Sequence, residues 1–280
     1  MTPDNLMHTE WNREALLDYW QNMHLYGAWS NLVLGIIILG VAFLSIRHDW
    51  KELKKRVSAM SLFFLSIFIV NLVASMSHMI EHYPPIAKTL RLDLDFVNHS
   101  AIGFCALWVE VSILERVRTL QKIGFLSGFP KRLFLSLVII TYVIFQSLNW
   151  SIRNEPNFIF AIADYMLSLT TLLAFSLFVI FRLPTFIDKR YEHFSIASFV
   201  ILLGASIAHI GLQEALPLGE AFINANDVYH FIAAPAFFTL FKAKQSSKSS
   251  IRLPVEDSLD MGMDSASATT DASTVKPALV

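Results

Sequence analysis

Seven long apolar runs, set apart by prolines and by clusters of lysine and arginine, constrain this chain more than any other feature. They lie at Gly27 to Ile46, Val57 to Glu81, Phe96 to Glu115, Leu133 to Trp150, Phe158 to Phe181, Phe194 to Gln213 and Asn224 to Phe241. About 20 helical residues cross the roughly 30 Å hydrocarbon layer of a bilayer. Inside lipid the backbone must satisfy its own polar groups, so each run predicts a helix. Pro84, Pro85, Pro130, Pro156, Pro184 and Pro217 fall in the connections, where helices stop. Only Pro235 lies inside a run, as a tolerable kink. The expected fold class is all-α, a seven-transmembrane helix bundle. A composition of 54% hydrophobic and 16% charged residues agrees with a polytopic membrane protein.

Basic residues predict the orientation. Arg47, Lys51, Lys54, Lys55 and Arg56 fill the first connection; Arg116, Arg118, Lys122, Lys131 and Arg132 the third; Arg182, Lys189 and Arg190 the fifth. Lys242, Lys244, Lys248 and Arg252 follow the last run, whereas Arg13, Lys88, Arg91 and Arg153 stand alone on the other side. The positive-inside rule then places the N-terminus outside and the C-terminus in the cytoplasm. The division expected is an extracytoplasmic segment over residues 1–26, a membrane domain over 27–244 and a disordered cytoplasmic tail over 245–280, rich in Ser, Thr, Ala and Asp. Residues 1–26 are polar and acidic, unlike a secretory signal peptide. The net charge of -1 and the absence of a binding motif exclude nucleic acid as the expected partner, leaving the bilayer and a membrane lipid. Cys105, the single cysteine, cannot form an internal disulfide.

Acids and histidines collect where the runs meet the non-cytoplasmic leaflet. His78, Glu81 and His82 end the second run; Asp93, Asp95, Asn98 and His99 open the third; Asp164 lies near the start of the fifth; His209 and Glu214 close the sixth; Asp227 and His230 open the seventh. Ionisable side chains at such positions are expensive and read as functional. His78, Asp227 and His230 form an N,N,O set of the kind that holds catalytic zinc with one position left for water. Asp95 would hold that water or act as its base. Each residue also has a plainer reading: the histidines as helix-to-helix hydrogen bonders, Asp227 as a cap on free backbone N–H groups, Glu110 as a core hydrogen-bond partner. The run His78 to His82 spells H-x-x-E-H, which supplies a second metal assignment with Glu81 as base. No lysine precedes Lys242 in the last run, so a retinal Schiff base is disfavoured.

Ala74-Ser75-Met-Ser-His78, Leu92-Asp93-Leu-Asp95 and Asn226-Asp227-Val-Tyr-His230 resemble the motifs of the alkaline ceramidases and of the wider CREST superfamily of seven-helix membrane hydrolases, which includes the adiponectin receptors. That resemblance implies a zinc-dependent hydrolase cleaving a ceramide-like lipid amide, with Asp95, or in second place Asp93, on the water and Ser75 stabilising the transition state. Glu10-Trp11 and Asp18-Tyr-Trp20-Gln-Asn22 are similar to the family's calcium-binding segment, which implies Ca2+ near Glu10 and Asp18. Asn226 stands where the family has the first zinc histidine, so the third ligand is assigned to Asp227. Ala74 stands where it has serine, so Ser75 substitutes. Two other classes stay open: a seven-helix receptor or sensor with a structural metal or none, and a haem or iron protein using His78, His82, His99, His209 and His230. The membrane expected is a bacterial inner membrane or an organelle membrane.

Overall fold

A computed structural model of the chain describes residues 28–52, 56–80, 87–151, 159–184, 188–216 and 223–249. These form seven α-helices: α1 Ala28–Glu52, α2 Ala59–Ile80, α3 Ala87–Gln121, α4 Lys131–Ser151, α5 Ile159–Arg182, α6 Arg190–Leu212 and α7 Ala225–Ser249. No strand occurs among the described residues. Each of the seven expected runs overlaps one of these helices.

Consecutive helices run in opposite directions, and α7 packs back against α1 to close a ring in the order α1, α2, α3, α5, α6, α7. Helix α4 stands outside that ring against α3 and α5. Its exposed Leu133, Leu137, Ile139, Ile140, Val143 and Ile144 form one broad face, and a helix apolar on its open side needs lipid rather than water around it. Inside the ring, Leu34, Ile38, Phe63, Phe64, Val109, Ile113, Ala236 and Leu240 form one continuous core.

Six of the helices, α1 to α6, are long and apolar enough to span a bilayer. The chain is a multi-pass membrane protein. Helix α7 departs from expectation in falling short of that hydropathy. Asn226, Asp227 and His230 occupy one of its ends and Lys242, Lys244 and Lys248 the other, and the ring around it, not lipid, receives its polar side chains: Asp227, His230 and Lys244 are all buried. Helix α7 also continues through Ser249, past the boundary at 244, and α3 runs 35 residues to Gln121, past Glu115. These extensions bring cations that the sequence assigned to connections onto helices.

Apolar contact does not discriminate helix partners in lipid, so small residues and polar ties do that work, each tie contributing about 0.6 kcal/mol. Ser198 Oγ donates to the Ala236 carbonyl at 2.8 Å and ties α6 to α7. Gly35 brings the α1 backbone to the Asn71 side chain of α2, where an added Cβ would sit 3.4 Å from Cβ of Asn71.

Candidate functional site

The alternation of the helices puts the starts of α1, α3, α5 and α7 and the ends of α2, α4 and α6 at one end of the bundle, with His78, His99, His209 and His230. His230, buried in the second turn of α7, has its Nδ1 2.8 Å from Ser30 Oγ on α1. His78 of α2 and His209 of α6 both lie within electrostatic range of the His230 ring. Tyr229 stands edge-on to both His209 and His230, with centroids 5.9 Å and 5.3 Å apart. His209 also meets Gln213 Nε2 at 3.0 Å, one turn on. His78 and His230 thus lie at the same end of the bundle.

The remaining expected site residues are engaged in local structure. Asp227 Oδ2 accepts from the Asn224 N–H and Asn224 Oδ1 accepts from the Asp227 N–H, both at 3.0 Å. This is a reciprocal capping box, with Asn224 as N-cap and Asp227 at the third helical position. Asp227 therefore takes the plainer reading given above, a cap on a backbone N–H group. Ser75, buried on α2, donates to the Ala28 carbonyl of α1 at 2.9 Å. Buried Asp95 accepts from Ser77 Oγ at 2.8 Å, one residue before His78. His99 is buried one turn further along α3. Glu110 accepts from Ser168 of α5 at 3.1 Å, in the core role foreseen for it, and Asp164 is buried one turn away on α5.

Among the described residues no three His, Cys, Asp or Glu side chains converge as a metal-holding set. Glu81, His82, Glu10 and Asp18 lie outside the described residues, so the H-x-x-E-H assignment and the calcium segment do too.

Residues 27–248, most of the chain, match DUF6962, a family of unknown function. The chain belongs to this family. No curated protein and no solved structure matches it.

In this DUF6962 chain a second polar concentration, missed from the sequence, occupies the opposite end. Arg116 of α3 reaches Glu192 of α6 through Nε at 2.8 Å and Nη2 at 3.1 Å, donates from Nη1 to the Ser247 carbonyl of α7, and stacks on Tyr191 with its guanidinium carbon 4.9 Å from the ring centre. Lys244 of α7 pairs with Asp49 of α1 at 2.9 Å and also contacts Ser45 Oγ and Ser61 Oγ, both at 2.6 Å. Asp49 Oδ2 in turn accepts from the Ser58 N–H, Ser58 Oγ and Ser61 Oγ. All four charged side chains are buried. One signal was available: the buried stripe Val109, Ile113, Val117, Leu120 keeps helical spacing past Glu115 and so carries Arg116 inside.

Proposed function

We propose that this chain is a seven-helix membrane receptor or sensor whose histidine end is a structural clasp. The observation that supports this reading is the engagement of the polar side chains there with one another. Ser30 meets His230, Ser77 meets Asp95, and Asn224 and Asp227 cap α7, so α1 is tied to α7 and α2 to α3 at this end. In the proposed orientation the histidine end faces away from the cytoplasm and the basic end toward it, by the positive-inside rule. The membrane would be a bacterial inner membrane or an organelle membrane.

Hydrolysis of a lipid amide is the second reading. It is favoured by one observation: His78 and His230 lie within electrostatic range, and Asp95 is bound to Ser77, the residue before His78. The deciding experiment measures metal content and lipid-amide turnover of the detergent-purified protein beside His78→Ala and His230→Ala. The receptor reading expects no stoichiometric zinc and no turnover across ceramide-like amides. Equimolar zinc lost in His78→Ala, together with hydrolysis lost in both folded variants, would replace it with the hydrolase. Iron with a Soret band would point instead to a redox protein.

A further inference from the structure

The basic end contains a cavity of about 430 Å³ between α1, α2, α3, α6 and α7. Its floor is electrically balanced, because Lys244 is paired with Asp49 and Arg116 with Glu192. Its mouth is not balanced. Arg56, three residues before α2, Arg118, on the last turn of α3, and Lys122, in the turn just after it, line the same cavity with exposed side chains, against one carboxylate, the half-buried Glu115. Glu115 is itself occupied in accepting the Ala59 N–H at the start of α2. Hydroxyls share the rest of the lining with His48, Val57 and Met60. Ser58 and Thr119 are among these hydroxyls, and the buried Tyr191 hydroxyl faces Ser112 without a hydrogen bond of good geometry. Trp50, exposed on the last turns of α1, marks this end as the level where a bilayer meets water, since indole rings concentrate at that boundary.

We propose that this cavity is a binding site for a phosphate group, carried by an anionic lipid headgroup or free in solution. Three cations from two chain segments over a neutralised, hydroxyl-bearing floor suit a compact group of more than one negative charge. Guanidinium forks match phosphate oxygens in pairs, and lysine adds a point charge. Basic pockets between transmembrane helices at the cytoplasmic surface take phosphorylated headgroups for the same reason. The volume lies in the range of small-ligand sites. The buried pairs hold the floor in place, so a ligand meets a preformed cradle. This assignment stands whether or not the histidine end turns over a substrate.

The test uses the full chain in detergent micelles and native mass spectrometry, with short-chain phosphatidic acid, phosphatidylcholine and inorganic phosphate as probes. The wild type should retain phosphatidic acid in preference to phosphatidylcholine. Arg118→Gln/Lys122→Gln alters only exposed side chains and should weaken that retention by roughly tenfold or more. Lys131→Gln/Arg132→Gln removes the same charge from α4 at the same end, outside the cavity, and should leave retention unchanged. Competition by inorganic phosphate would identify the free group as ligand, and its failure to compete would identify the lipid headgroup; either supports the site. Equal retention of both lipids, or equal loss in the α4 variant, would overturn it, and matched thermal unfolding checks that each variant is folded.

Discussion

Arg116 and Glu192 face each other across α3 and α6 as a two-pronged ion pair, and their side chains are only 1% and 0% exposed. Removing one partner leaves a charge stranded where solvent cannot reach it, which costs about 3–5 kcal/mol. Replacing both with apolar residues of similar volume avoids that penalty. Glu192→Ala should therefore lower the thermal stability of the detergent-purified protein sharply, and Arg116→Met/Glu192→Leu should recover most of the loss. A double variant as unstable as the single one would show that the pair is net stabilising and not merely compensated.

Asp227 separates the cap from the metal ligand. As the third residue of a capping box it satisfies the Asn224 N–H, so Asp227→Ala should cost about 1 kcal/mol and leave metal content unchanged. Asp227→Asn keeps a carbonyl acceptor and should cost less. The two measurements are thermal unfolding and elemental analysis of the same samples. Loss of a bound metal without loss of stability would return Asp227 to the ligand set.

The bundle was legible because each helix is a long apolar run broken by proline or charge, and a lipid solvent leaves few alternatives for such runs. The ends were less legible. Hydropathy stops a helix at its first cations, so Arg116 and Lys244 read as connection residues, whereas the buried stripe of α3 and the ring around α7 carry both inside. The gathering of His78 and His230 could be read from the alternation of chain direction. Which polar partner each residue takes could not, because Ser30 with His230 and Asp49 with Lys244 are separated by most of the chain. Hydroxyls on serine are too common to mark such pairings in sequence.

Gly103 marks where α4 crosses α3. A Cβ at this position would collide with the Gln146 side-chain amide, so glycine leaves room for that amide between the two helices. Gly103→Ala must push Gln146 aside, and the larger Gly103→Leu must separate the helices. The expected order of thermal stability is wild type, then Ala, then Leu, with a loss of about 1–3 kcal/mol for the larger residue. Since α4 lies outside the ring, phosphate-group retention at the basic end should be unchanged in Gly103→Ala. A stabilised Gly103→Leu protein would mean that α4 does not sit against α3 at this point.

Asp164 presents the opposite case to Arg116. It is 2% exposed, its Oδ2 has no hydrogen-bond partner among the described residues, and Glu110 lies within electrostatic range across α3 and α5. A buried polar atom without a partner carries its desolvation cost uncompensated, about 1–3 kcal/mol. Asp164→Asn preserves shape and removes the acidic group facing Glu110, so thermal stability should stay level or rise. Glu110→Gln keeps an acceptor for the Ser168 hydroxyl and should also be mild, whereas Glu110→Ala strips that acceptor and should be worse. If Asp164→Asn instead loses more than about 2 kcal/mol, the carboxylate has a partner that compensates its burial, and a bound cation or proton at this depth becomes the question to ask of elemental analysis and infrared carboxyl bands.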